Sequence, residues 1–350
     1  MSVLLPAITA LLAFVFAVAL LDQWRERRRG FQLIWALGML FFGIGAGAEA
    51  VGAAIGWSEA LYRTWYLTGA VFTAAWLGLG TAFLLAKTRF GYTYGALIVL
   101  GGLIAFFARR AYPEAGDFAT LLFIGALVFG LAVALETYFQ NERWPLIAAI
   151  GVIAASAVAT YVAFAMPLSG PVAIDSHTGV PTGAAIAAPE RLISLVMNIS
   201  GGLALVLGAL FSAYVFMPKK RVLDYSLDPG QPGDEFLFNL AIAVIAIPVN
   251  FVLSLPGTLR ALVSGRIHSR VPATMLIAIG GLAAGAGDLL SRLGSTELFQ
   301  LGKFLAVTLI FLGFLVSIEA FREIRIPFTR VVLRGARRER AEAAGSGRGA

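Results

Sequence analysis

The chain has 350 residues, of which 59% are hydrophobic and only 13% are charged, and its mean hydropathy is +0.84. Soluble domains carry about 25% charged residues, so this composition excludes an ordinary soluble protein and predicts a surface that faces lipid. The net charge of +7 comes from basic residues scattered through short loops rather than gathered on one module, which favours membrane orientation over nucleic-acid binding.

Long apolar stretches follow one another along the chain. A transmembrane helix needs about 20 apolar residues, because it rises 1.5 Å per residue across roughly 30 Å of hydrocarbon. The predicted spans are Val3–Leu21, Phe31–Gly56, Trp65–Ala86, Tyr92–Phe107, Phe118–Phe139, Trp144–Met166, Leu192–Met217, Val271–Leu290 and Leu301–Ala320. The first stretch lacks a basic n-region and a small-residue cleavage site, so we interpret it as a retained anchor rather than a signal peptide.

The loops predict the orientation of the chain. Four arginines lie between Arg25 and Arg29, directly after the first span, and such a cluster stays in the cytoplasm. The N-terminus is therefore expected outside and the C-terminus in the cytoplasm. Alternation of the spans then puts 21 of the 27 basic residues on the inner side. The six on the outer side are Arg63, Arg109, Arg110, Arg191, Arg292 and Lys303.

The segment 222–270 lies between two spans that both meet the inner side, so it must make an even number of crossings. Its apolar part, Phe236 to Pro256, is interrupted by Pro248 and Asn250. Proline removes a backbone donor, and non-helical backbone at membrane depth needs cover from protein or water. We therefore predict a re-entrant or interfacial helix here rather than an ordinary tenth span.

The expected fold is an all-α integral membrane protein with about nine transmembrane helices and one helical insertion. Residues 1–321 form a single polytopic domain that includes the insertion at 222–270. Residues 322–350 form a basic cytoplasmic tail, which is predicted to be disordered after about residue 340 because little apolar sequence remains there.

Charged residues in or near the predicted spans are few, and they provide the candidate site. An ionisable group inside a bilayer is costly and faces a partner or a water-filled cavity. Those expected in the outer third of the membrane or at its rim are Glu49, Arg63, Asp288, Arg292 and Lys303. Because they carry both signs, they predict either a buried ion-pair network or a polar path. Asn250 joins them as a candidate, since a broken helix exposes carbonyls that can coordinate ions.

Small residues give two further patterns. Gly47-Ala48-Glu49 and Gly285-Ala286-Gly287-Asp288 stand at similar positions in their spans, which indicates either a parallel internal repeat or chance similarity between small-residue helices. Glycines at helical spacing, such as Gly201 and Gly208, let helix backbones approach closely, either within the chain or between copies. The predicted partners are the bilayer and other membrane subunits or a second copy, and no nucleic acid.

Several catalytic classes are excluded by missing motifs. The sequence has no GxxxxGK[ST] loop, no HExxH and no GxSxG. No predicted span contains a histidine, which excludes a bis-histidine haem bundle. The absence of cysteine excludes disulfides and thiolate chemistry. We therefore assign no catalytic, cofactor or metal-binding residue, and an enzyme is the less favoured class.

The stretches Gln32–Ala50, Leu61–Tyr66 and Ala75–Gly80 resemble a family of uncharacterised bacterial inner-membrane proteins, and Leu301 to Phe328 is similar to that family's last helical pair. The resemblance implies a bacterial inner membrane and no particular activity. Our leading functional hypothesis is transport of a small solute, ion or lipid along the polar residues. The alternative is a non-catalytic subunit or assembly factor of a larger membrane complex.

Overall fold

Ten long helices make up most of the computed structural model, which describes residues 3–175, 180–226, 230, 233–292, 297–317, 324–325 and 332–334. All ten are long and apolar enough to cross a membrane, so the prediction of an all-α multi-pass membrane protein is confirmed. The helices are α1 (Leu4–Arg27), α2 (Gly30–Ile55), α3 (Glu59–Leu84), α4 (Phe90–Ala108), α5 (Phe118–Tyr138), α6 (Trp144–Ala165), α7 (Ala188–Phe216), α8 (Gly233–Val263), α9 (Arg270–Arg292) and α10 (Glu297–Val316). A short antiparallel pair of strands, β1 (Ile324–Arg325) and β2 (Val332–Arg334), follows them.

Several helices differ from the sequence-based boundaries. Helix α1 continues to Arg27 rather than ending at Leu21, and α10 begins at Glu297 rather than Leu301. Helix α3 begins at Glu59 rather than Trp65, and its middle part, Tyr66–Phe72, is a π-helix. Helix α7 begins at Ala188, four residues before the predicted Leu192, because Pro189 at the start of a helix loses no hydrogen bond. The tail expected to be disordered after residue 340 lies outside the described residues.

The bundle is organised around α7, which packs against α3, α4 and α9, while α1 packs against both α2 and α10. The first and last helices therefore meet in the core. Phe16 stacks on Phe311 with ring centroids 4.7 Å apart. The Trp35 indole N–H donates to the Leu77 carbonyl at 3.0 Å, and its ring meets Phe314 at 4.3 Å. These aromatic contacts join α1, α2, α3 and α10.

Successive helices of the bundle alternate in direction. We call the end where α1, α3, α5 and α7 finish and α2, α4, α6 and α9 begin the basic end, because the lysines and arginines concentrate there. Its helix ends touch one another: Trp144 Nε1 donates to the Ala86 carbonyl at 3.0 Å, and Arg89 Nη1 donates to the Thr137 carbonyl at 2.8 Å. The other end is called the opposite end.

Helix α8 lies across the basic end instead of running through the bundle. Near its start, the Phe236 ring contacts Tyr92 and Tyr138, at 5.7 and 5.3 Å, where α4 begins and α5 finishes. Further along, Phe251 contacts Tyr214 in the last turns of α7. A crossing helix would bring its two halves to different ends of the bundle. The re-entrant or interfacial arrangement of segment 222–270 stays a prediction, because α8 also has the length and apolar composition of a span.

The prediction of a broken segment around Asn250 is wrong, because α8 is one continuous helix that includes Pro248 and Pro256. At 31 residues, it is roughly 46 Å long at 1.5 Å per residue. Its outward face is apolar, and the exposed side chains include Leu237, Val244, Ile245, Val252 and Leu259. Such a face suits contact with lipid.

Glycines are used to pack helices inside this chain. A Cβ on Gly201 of α7 would collide with the backbone of Ala74 in α3, and a Cβ on Gly78 would collide with the backbone of Gly201. A Cβ on Gly95 of α4 would lie 2.5 Å from the Gly130 carbonyl of α5. In lipid the hydrophobic effect does not drive helices together, and close backbone contacts of this kind stabilise their association instead. They support packing within the chain, the first of the two alternatives raised by the sequence.

We expect Gly201→Ala to destabilise the bundle by about 1–3 kcal/mol, because the added methyl group must push the α3 backbone away. The matched control is Gly125→Ala in α5, where an added Cβ meets nothing within 4 Å. Unfolding in detergent, followed by far-UV circular dichroism, measures both variants. Equal midpoints for the two would show that the α3–α7 contact is not tight.

Candidate functional site

Glu49 is a buried carboxylate late in α2, with 3% of its surface exposed. Its Oε1 accepts a hydrogen bond from Trp65 Nε1 at 2.7 Å. Its Oε2 accepts one from Gln300 Nε2 at 3.0 Å and forms an ion pair with Lys303 Nζ. Both carboxylate oxygens therefore have donors, and these donors come from two other helices, α3 and α10.

Helical spacing explains how α10 supplies two of the three donors. Gln300 and Lys303 are three residues apart, so they lie on the same face of α10. The Lys303 ammonium also lies 4.3 Å from the centroid of the Phe299 ring. A buried ion pair is tolerated only when hydrogen bonds satisfy the remaining polar atoms. The Glu49 group meets this condition, which indicates a structural connection between α2, α3 and α10.

Arg63 is placed at a different site. It pairs with Glu59 one turn earlier in α3, with 2.6 Å between Nη2 and Oε1. Its Nη1 donates to the carbonyls of Ala163 and Met166, the latter at 3.0 Å. A cation at the C-terminus of a helix is favourable because the last carbonyls lack partners within the helix. Arg63 thus closes the end of α6 and does not join Glu49.

Asn250 lies on α8 at the basic end, so it is also separate from Glu49. Its Oδ1 accepts from the backbone N–H groups of Val222 and Leu223, at 2.9 and 3.1 Å. Its Nδ2 donates to the Leu223 carbonyl at 2.7 Å. Nearby, Ser254 Oγ accepts from the Lys220 N–H at 2.9 Å. Asn250 therefore holds the connecting segment against α8.

Asp288 and Arg292 lie near the end of α9, and their side chains are outside the described part of the structure. The backbone of α9 packs against α10 at this level, since a Cβ on Gly287 would lie 3.4 Å from the Gly302 Cα. Asp288 and Lys303 therefore occupy neighbouring positions on two packed helices. The paired carboxylates expected from Glu49 and Asp288 stay a prediction.

The structure also shows a buried polar site that the sequence did not indicate. Ser194 Oγ of α7 donates to the Ala70 carbonyl at 2.8 Å, and Asn198 Nδ2 donates to the same carbonyl and to Ser194 Oγ. Ala70 lies in the π-helical part of α3. Glu190 lies one turn before Ser194 on α7. We call Glu190, Ser194, Asn198 and the Ala70 carbonyl the polar seam.

Glu190 differs from Glu49 in its hydrogen bonding. Its side chain is 1% exposed, and its Oε1 has no hydrogen-bond partner in the described part of the structure. Arg63 provides a positive charge nearby. Glu190 is at the first turn of α7, where the helix dipole favours a negative charge. The Arg63 charge and the helix dipole therefore stabilise the Glu190 carboxylate, while its Oε1 accepts no hydrogen bond in the described part of the structure.

The described residues contain no group of three or more histidine, aspartate or glutamate side chains that could hold a metal ion. Comparison of the chain with protein-family models, with curated proteins and with solved structures found no match. The resemblance to uncharacterised bacterial inner-membrane proteins therefore stays a prediction, and the site is interpreted from its own geometry.

We expect single substitutions in the Glu49 ion pair to destabilise the protein strongly, because each leaves a buried charge without its partner. Glu49→Gln or Lys303→Met should each cost about 3–5 kcal/mol, and the double variant should cost less than their sum. The control is the exposed pair of Lys87 and Glu142, 3.6 Å apart. Its removal should cost about 0–1 kcal/mol.

Unfolding of the four ion-pair species by a denaturing detergent measures these differences. Strict additivity of Glu49→Gln and Lys303→Met would contradict a direct interaction. If both single variants were as stable as the wild type, Glu49 would have no structural role.

Proposed function

We propose that the protein transports a small solute or ion across a bacterial inner membrane, along the polar seam between α3 and α7. The observation that carries the proposal is Glu190, a buried carboxylate with an oxygen that lacks a hydrogen-bond partner within the described residues. Ionisable groups inside a membrane are expensive and usually serve a path or relay. A π-helical segment such as Tyr66–Phe72 is also frequent at functional sites.

The chemistry of the seam fits a proton or a small cation. Glu190 offers a negative charge, Ser194 a hydroxyl group and Ala70 a backbone carbonyl in the π-helical part of α3. Glu190 and Ser194 lie four residues apart on one face of α7, and Asn198 continues that face after another four. The Ala70 carbonyl faces Ser194 and Asn198 from α3. Asn198 lies eight residues beyond Glu190, about 12 Å further along the helix at 1.5 Å per residue. A ligand could therefore pass from one oxygen group to the next.

We assign the Glu49 group a supporting role in this proposal. Its oxygens already accept from Trp65, Gln300 and Lys303, so a ligand would have to displace a charged partner. The group connects α10 to α2 and α3, and it thereby fixes the helices that surround α7. The polar seam thus replaces, in this proposal, the path through Glu49 and Asn250 that the sequence suggested.

The orientation belongs to the same proposal. The basic residues favour a cytoplasmic location for the basic end, with the N-terminus outside and the C-terminus inside. Glu190, in the first turn of α7, then lies toward the outer surface. The seam would take up its ligand from the outer side.

The alternative is a non-catalytic subunit of a membrane complex, and the described contacts favour it less. It is suggested by small-residue helix faces, by the few polar groups in the spans and by the lack of a complete site. Against the first of these, Gly78, Gly95, Gly130 and Gly201 contact other helices of the same chain. The exposed apolar faces of α5 and α6 are accounted for by lipid. A homo-oligomer is compatible with transport and is not required by the seam.

A carbodiimide that modifies protonated carboxyl groups in apolar surroundings tests whether Glu190 accepts a proton. We expect purified protein in lipid vesicles to gain an adduct at Glu190, located by peptide mass spectrometry. Glu190→Gln should remove the adduct, and Glu49→Gln should leave it. Protection of Glu190 at every pH tested would argue against a protonatable path group.

Vesicles that contain the protein and a trapped pH-sensitive dye test transport directly. We expect proton flux driven by a potassium gradient and valinomycin, and a loss of tenfold or more in Glu190→Gln with an unchanged unfolding midpoint. Ser194→Ala should lower the flux less, since it removes a hydroxyl but no charge. Wild-type flux equal to that of empty vesicles, with protons and with sodium ions, would overturn the ion-transport proposal.

A further inference from the structure

A cavity of about 270 Å³ opens at the basic end, between α2, α3, α7, α9 and α10. Its walls are apolar and largely aromatic, and they include Phe31, Trp35, Leu84, Phe211, Ile277 and Phe314. Pockets that enclose a whole small molecule have about 300–1,000 Å³, so this cavity is smaller than such a pocket. Its size and walls suit part of a long apolar chain that continues outside the protein.

The rim of the cavity carries two basic residues from different parts of the sequence. Lys87 follows α3, and Arg270 begins α9. The Arg270 guanidinium lies over the Phe216 ring, 4.3 Å from its centroid, which holds the charge beside the apolar wall. Lys87 is mostly exposed and lies 3.6 Å from Glu142. Hydroxyl groups of Thr88, Ser212, Thr274 and Ser317 complete the polar lining.

We propose that this cavity binds an anionic phospholipid of the surrounding leaflet, with part of an acyl chain inside and the phosphate at Lys87 and Arg270. Charge complementarity selects the headgroup, because both charged residues that line the cavity are basic. Basic pockets between transmembrane helices on the cytoplasmic side bind anionic headgroups in this way. The site lies at the end away from Glu190, and it does not depend on the transport proposal.

Native mass spectrometry of the full chain, released from detergent with added lipid, tests the site. The probes are phosphatidylglycerol and phosphatidylcholine of the same chain length. We expect retained phosphatidylglycerol on the wild-type protein and binding at least tenfold weaker in the double variant Lys87→Gln/Arg270→Gln. Phosphatidylcholine binding should be weak in both proteins.

A matched variant, Lys219→Gln/Arg221→Gln, removes two charges from the same end without altering the cavity lining. It should retain phosphatidylglycerol like the wild type. A third variant, Val215→Trp, keeps all charges and narrows the cavity, so it should weaken retention. Equal loss in both charge variants would overturn the proposal, since surface charge would then explain the binding. Equal retention of the two lipids by the wild type would overturn it as well.

Discussion

The hydrogen-bonded ion pair of Glu49 and Lys303 joins the first helices of the chain to its last one. In lipid, apolar helix surfaces gain little by meeting one another, so polar contacts and close backbone packing determine which helices associate. Lys303 and Gln300 reach Glu49 from the other end of the sequence. The pair therefore specifies where α10 docks, and α10 in turn covers α1 and the aromatic core around Phe16. The bundle closes through this contact.

Closure of the bundle leaves α7 in the centre, and the approach of α3 to α7 depends on small residues. Gly78 and Gly201 meet backbone to backbone, about one helical turn from Asn198. This contact brings the π-helical part of α3 against the polar face of α7. The Ala70 carbonyl can then accept from Ser194 and Asn198. Close packing and the polar seam are consequently two parts of the same helix interface.

The sequence predicts the membrane class, the helix positions and the exceptional character of segment 222–270. The length of an apolar stretch and the charge of its loops predict how deep in the membrane each residue of the helix lies. They do not determine which way it points around the helix axis. Glu49, Arg63 and Lys303 were therefore grouped by predicted depth, whereas the structure pairs Glu49 with Lys303 and Arg63 with Glu59.

Two other differences between the predicted and the observed helices also have local causes. The prolines of α8 were expected to break it, but a helix across the end of the bundle lies partly exposed, and the freed carbonyls at prolines tolerate such a location better than the bilayer centre. Glu190 precedes the predicted span Leu192–Met217, so it was not among the charged residues expected in the membrane. Glu190, Ser194 and Asn198 follow one another at intervals of four residues, which indicates one polar face of a helix. The sequence shows this face only if the helix begins before Glu190, as it does in the structure.

Glu49 and Glu190 show why burial is an insufficient guide to function. Both carboxylates are almost fully buried, and both have a basic residue nearby. Glu49 accepts from three donors, so any change in its protonation would break contacts between three helices. Glu190 has an oxygen without a hydrogen bond within the described residues, so it can gain a proton or contact a ligand without first losing a partner. The number of donors around a carboxylate, more than its depth, thus separates a structural charge from one that is available for exchange.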